Sequence, residues 1–209
     1  MSKETVSQLI KKLNSGCAPG IDNVTSEHLK FGESDILCSA PSDFYSVVLT
    51  WQIVPASFKT GVIVPIFKKP GLDTNQADNY RPVTLSTTFS KILELIILPS
   101  DSVSDTQFGF REGRGTSFPC SLYNDIAMYF NCHKSPVYTC SLDAEKCFDS
   151  VCHKSLFYKL YGEIPNEQWV LFYNWYKDMK AFVKWKGTLS SGFTVTKGTS
   201  SGAYYLTVI

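Results

Sequence analysis

The run Tyr138 to Asp149, YTCSLDAEKCFD, constrains the fold of this chain more than any other stretch. It opens on strand formers that continue from Val137, reaches a carboxylate at Asp143, and then presents an aromatic at Phe148 beside a second acid, Asp149. Side chains alternate along a strand, so Tyr138, Cys140 and Leu142 share one face while Val137, Thr139, Ser141 and Asp143 share the other. One face is suited to packing and the other ends in a charge. A carboxylate at the mouth of a strand is costly near other acids unless a cation neutralises it, which points to a metal ion. Asp is also a favoured cap residue, so Asp143 taken by itself has a second role open to it, capping a helix that begins near Ala144.

Around this run the chain alternates two periodicities. Val6, Leu9, Ile10 and Leu13 recur at helical spacing, and the Gly- and Pro-punctuated SGCAPGID that follows reads as a loop. SEHLK restarts a helix with Ser26 as its cap, and a further helix is expected from about Asp43 to Trp51. VIVPIFKK is a strand whose interior proline favours a sheet edge, and FSKILELIIL is the clearest helix of the first half. Leu122, Ile126 and either Tyr129 or Phe130 mark another helix, and KSLFYKLYG and EQWVLFYNWYKDM two more. In the last of these, Trp169, Phe172, Tyr173 and Tyr176 form a stripe that reads as core before it reads as a base-stacking platform. AFVKWKG and GFTVTKG form a hairpin joined across TLSS. The mixture predicts an α+β fold, helices packed on a small, mostly antiparallel sheet.

Composition narrows the function classes. Twenty Lys and Arg against nineteen Asp and Glu leave a net charge of +1, so any polyanion site is local rather than a global field. Seven cysteines with no C-x-x-C pair read as partly buried free thiols; a zinc site from Cys147, Cys152 and His153 fits no recurring ligand spacing. The N-terminus lacks an apolar signal core and GVIVPIF is too short to span a bilayer. The expectation is a soluble, intracellular protein of cytoplasm or nucleus with no membrane partner.

Three blocks, NYRPVTLSTTFSKILE (79–94), QFGFREGRGT (107–116) and SLDAEKCFDSV (141–151), together resemble the reverse transcriptase domain of non-LTR, LINE-like retrotransposons. APGIDNVTSEHLK and IVPIFKKPG fit the same family in the same order, so the resemblance covers nearly the whole chain. It implies an RNA-directed DNA polymerase of right-hand shape, with an N-terminal extension and fingers in residues 1–135 and a partial palm in 136–209. It also implies two Mg²⁺ ions, an RNA template, a DNA primer and deoxynucleoside triphosphates. Asp143 matches the family's first metal-binding aspartate, and Ala144 would lend a backbone carbonyl. Phe148 matches the aromatic beneath the incoming sugar, where a rigid ring excludes a 2′-hydroxyl; its alternative is a core aromatic on a short helix. Asp149 would support by hydrogen bonding. Lys68 and Arg81 match basic residues that grip the triphosphate, with Lys69 nearly as good as Lys68. Arg111 and Arg114, in a Gly-rich loop that lets backbone approach closely, would meet template phosphates.

The chain departs from the family pattern near its end. In KGTSSGAYYLTVI, Ser201 stands where a glutamine is expected and Gly202 of the nucleotide-binding block is retained. The sequence stops at Ile209, before the family's hairpin with paired aspartates, so this chain by itself is expected not to polymerise DNA. Two alternatives follow: a non-catalytic module that binds RNA or an RNA–DNA hybrid, and an inert globular remnant.

Overall fold

The computed structural model describes residues 1–32, 35–97, 106–109, 113–143 and 146–199, with the side chains of 35–38 also outside the description. Its chain divides into two compact units, one formed by Met1–Leu98 with Asp149–Ala203 and the other by Pro99–Phe148 with Tyr204–Ile209.

The first unit begins with α1 (Lys3–Lys12), whose N-terminus is closed by the Ser2 hydroxyl accepting the Thr5 N–H at 3.2 Å. Val6 and Ile10 bury the inner face. The next helix, α2 (Ser26–Phe31), is capped by Thr25 rather than Ser26: the Thr25 hydroxyl accepts from the His28 N–H, and the His28 Nδ1 accepts from the Thr25 N–H. Ser26 instead donates its hydroxyl to the Asn14 carbonyl, tying the helix back to the end of α1. Helix α3 runs from Asp35 to Trp51, eight residues further upstream than the apolar pattern predicts, with Pro41 inside it. Pro41 is tolerated within this helix, and its side chain is buried.

Strands β1 (Thr60–Phe67) and β2 (Tyr80–Leu85) form an antiparallel hairpin, and β1 also pairs in parallel with β3 (Lys180–Trp185). With β4 (Thr188–Leu189) and β5 (Phe193–Thr194), both antiparallel to β3, the sheet order is β2-β1-β3-β4. β1 is therefore central, against the edge position its proline suggests. The register explains why. Lys68 N–H bonds the Asn79 carbonyl, so hydrogen-bonded and non-hydrogen-bonded pairs alternate from there, and Pro65 faces Pro82 at a pair that exchanges no bonds. On its other edge β1 pairs with β3 only from Thr60 to Ile63, before the proline. No ladder bond needs the missing N–H.

The hairpin after β3 turns through Lys186 and Gly187, both at positive φ (48° and 85°), as a two-residue turn of the primed type. TLSS is thus not the tight connection: Thr188 and Leu189 form β4, and the two serines lead on to β5. The pairs Lys184 with Leu189 and Ala181 with Phe193 differ in register by one residue, so the strand bulges between β4 and β5. The Ser190 hydroxyl accepts the Val183 N–H at 2.9 Å there.

Helix α4 (Thr88–Ile97) supplies the centre of the core, with Ile92 and Leu93 at 0% exposure. Tyr45 of α3 donates its hydroxyl to the Phe89 carbonyl at 2.9 Å. Helices α6 (His153–Leu160) and α7 (Asn166–Tyr176) complete the unit, and the Trp175 indole donates to the Phe58 carbonyl at 3.1 Å. The loop before α2 meets the joint between β2 and α4. A Cβ on Gly20 would lie 2.8 Å from the Ser86 carbonyl and the Thr87 nitrogen, so the chains touch through backbone. The APGID and NYRPVTLSTTFSK blocks, far apart in sequence, are thereby in contact.

The second unit holds α5 (Ser117–Cys132), none of whose side chains is buried. The segment after it, residues 135–143, is irregular backbone and not the expected strand. A strand exists only through its ladder, and no described segment pairs with this one. The predicted packing face is accordingly open, with Tyr138 at 92% and Leu142 at 97% exposure. The six cysteines whose side chains are described are free and exposed, not partly buried.

Candidate nucleotide and nucleic-acid interface

The β1–β2 hairpin positions Lys68 and Arg81, the two cations that the sequence resemblance assigns to the triphosphate. Ile66 lies opposite Arg81, so these share a face, and Lys68, two residues on, lies on the same face. Such a diagonal pair stands about 7 Å apart between Cβ atoms. All three side chains are exposed. The Lys68 ammonium is turned onto the Asp78 carbonyl in the tight turn before β2. That turn is held by Asn79, whose amide donates to the Asp73 carbonyl at 2.7 Å, and by the Tyr80 hydroxyl on the Thr74 carbonyl at 3.0 Å. The opposite face of the hairpin is aromatic: Phe67 packs on Tyr80 at 5.1 Å and Tyr80 on Trp185 at 5.2 Å between centroids. One face is anchored by rings while the other offers charge. Lys69, the alternate cation, is exposed on the loop beyond.

Asp143 sits exposed on the irregular segment after α5, where Thr139 meets the Tyr123 hydroxyl at 3.3 Å. Phe148 lies in a turn and is 39% exposed, so it is not the core aromatic of a short helix. Asp149, exposed in the same turn, opens the part of the chain that returns to the first unit. Arg114 stands over the Phe108 ring at 5.7 Å, and Phe108 stacks on Phe118 of α5 at 5.4 Å, so the Gly-rich loop is pinned to the helix by a cation–π and a ring contact. Ala144, Arg111, Gly202 and Ser201 lie outside the described residues, while residues 146–150 form turns and not the helix that Asp143 would cap.

Magnesium takes several oxygen ligands in near-octahedral geometry. Among the described residues no group of three or more His, Cys, Asp or Glu could hold a metal ion, and that covers the Cys147, Cys152 and His153 set as well as Asp143. The described residues do not by themselves fit a two-magnesium centre.

Two features escape the residue-by-residue prediction. Glu94 on α4, partly accessible as a whole residue, has its carboxyl pushed up to about 8, because the packing around it strips water from the charged form more than Lys91 stabilises it. The nearby Tyr176 hydroxyl is raised by its own burial and by Glu94. The second is the ring array between α6 and α7, which the sequence shows only as a stripe on one helix. Phe172 and Trp175 are buried, while Trp169 and Tyr173 stack at 5.3 Å with Tyr173 exposed.

A small mixed sheet flanked by helices, with a cationic hairpin face and family-ordered sequence blocks, defines a polymerase-like α+β chain. The reverse transcriptase (RNA-dependent DNA polymerase) family matches residues 67–204, and the chain belongs to that family. It is 28% identical over 210 residues to an RNA-directed DNA polymerase from mobile element jockey of Drosophila funebris, covering 96% of this chain and 22% of the relative. A probable RNA-directed DNA polymerase from transposon BS of Drosophila melanogaster is 28% identical, over 96% of this chain and 23% of its own length. A third, from transposon X-element of the same species, is 26% identical over 95% and 22%. The chain thus spans under a quarter of the length of the curated relatives it matches. No helix among the described residues is long and apolar enough to cross a membrane.

Proposed function

We propose that the chain is the template- and nucleotide-handling portion of an RNA-directed DNA polymerase of a non-LTR mobile element, acting on an RNA template, a DNA primer and deoxynucleoside triphosphates inside the cell. The observation that carries this is the hairpin register, which puts Lys68 and Arg81 on one exposed face within the residues that match the family. Arg81 is suited to bidentate contact with a triphosphate, and Lys68 would leave the Asp78 carbonyl to act as a point charge. Arg111 and Arg114 are assigned to template phosphates, Phe148 to the sugar, Gly202 to the nucleotide and Asp149 to support. Asp143, with the Ala144 carbonyl, is assigned to Mg²⁺, and further carboxylates would be needed to hold two ions. The purified chain is therefore expected to extend no primer.

RNA-templated primer extension tests this. Extension by the chain would overturn the expected inactivity. In a full-length jockey-type relative, replacing the aspartate aligned with Asp143 by alanine should abolish extension, and retained activity there would refute the metal role. Arg81→Ala in the same setting should raise the apparent KM for nucleotide. A second reading is a binder of RNA or RNA–DNA hybrid without catalysis, favoured by the exposed Arg114 that is held over the Phe108 ring beside α5. It predicts salt-dependent RNA affinity that weakens on Arg111→Ala or Arg114→Ala.

A further inference from the structure

The groove between α6 and α7 carries chemistry that neither the core nor the proposed polymerase site uses. The helices run antiparallel, in steps of four residues from His153 to Tyr161 and of three and then four from Tyr176 to Trp169: His153 meets Tyr176 at 5.0 Å, Phe157 meets Tyr173 at 5.4 Å, and Tyr161 meets Trp169 at 5.9 Å between ring centroids. Four helical residues rise about 6 Å, so the rows extend over about 12 Å. Trp169 and Tyr173 lie nearly parallel, 7° apart, and Phe157 stands edge-on to both as the buried floor. The resulting open groove has a volume of about 460 Å³. Lys154 and Lys177 line it at the end where α6 begins and α7 finishes, and among the described residues no carboxylate lines it.

A stripe that served only as core would hide its rings, yet Tyr161 is 72% and Tyr173 44% exposed. Rings that stay at the surface and already stack on one another offer a flat face to another flat, polarisable group. The lysines decide its charge. An alkylammonium ligand, which aromatic rings alone would welcome, meets two like charges here; a neutral apolar peptide leaves the ammonium groups without a counter-ion. A planar group joined to an anion satisfies both ends.

We propose that this groove binds single-stranded nucleic acid, with bases stacked on Tyr161, Trp169 and Tyr173 and adjoining phosphates paired with Lys154 and Lys177. Base stacking on aromatic side chains tolerates any sequence, so the site follows strand state rather than base identity. The inference does not depend on polymerase activity, and the test separates the two because Lys68 and Arg81 lie on other elements.

The experiment is fluorescence anisotropy of labelled oligouridylate and oligothymidylate titrated with the full chain at several salt concentrations. Tyr173→Ala and Tyr161→Ala should each weaken binding about tenfold, while Tyr173→Phe, which keeps the ring, should bind as the parent. Removing both lysines should reduce the slope of log affinity against log salt by about 1.4. Trp169 is left intact because its indole N–H is committed to the Phe157 carbonyl at 2.9 Å. Unchanged affinity in both tyrosine variants, with parental circular dichroism, would overturn the proposal. So would equal competition by a duplex, since paired bases cannot stack on the rings. Loss confined to Lys68→Ala and Arg81→Ala would assign the binding to the hairpin and sink the groove.

Discussion

Glu94 shows how one residue couples the core to pH. Its ordinary carboxyl value near 4.5 rises to about 8 in the folded chain. Between those values the unfolded chain releases the proton and the folded chain keeps it, so stability falls as pH rises through this window. Urea unfolding from pH 4.5 to 8 should show that decline, and Glu94→Gln should flatten it; an unchanged slope would mean that the carboxyl is hydrated. Gly20 makes a different demand, for space. Gly20→Ala sets a methyl against the backbone of Ser86 and Thr87 and should lower stability by roughly 1–3 kcal/mol in the same assay. The glycine was legible in sequence as loop punctuation, but its neighbour was not, because that contact joins residues more than sixty positions apart. Lys68 and Arg81 were legible as cations, while their shared face depends on a register that only the paired strand defines.

At the level of elements, local pattern succeeded where an element is made by its own residues. The 3.6-residue spacing of α1, α4, α6 and α7 survives into the structure because helix hydrogen bonds are internal. Strands borrow theirs from neighbours. The run from Val137 to Asp143 has strand-forming side chains and no ladder among the described residues, and β1 sits centrally despite Pro65 because its proline falls where no bond is exchanged. The position of the second hairpin's turn was misread for a related reason, since Lys186 and Gly187 needed their positive φ values to stand out from TLSS. Helix α4 sits at the centre of this framework. Ile92→Ala, emptying a fully buried site, should cost about 2–5 kcal/mol by urea denaturation; a cost below 1 kcal/mol would show that the neighbours collapse into the space.

Across the whole molecule the two units differ in how much they bury. The first has the core side chains of α1, α3, α4 and α7, whereas α5 in the second has no buried side chain, with Phe118, Leu122 and Tyr129 exposed. Amides of α5 should therefore exchange with solvent orders of magnitude faster than those of α4 by hydrogen exchange; comparable protection would show that α5 is covered. The family was legible in sequence because its blocks are local strings in a fixed order. Pro82 has a consequence at this scale too. It lies on β2, the outer strand of the described sheet, at a pair where an ordinary residue would aim its N–H away from the hairpin. A tertiary amide has no hydrogen to donate, so at this position the open edge keeps only an acceptor and cannot complete a ladder with another copy's strand; Pro82→Val should raise edge-to-edge self-association, read as a larger species by sedimentation, and a monomer at every concentration would show the ring guards nothing.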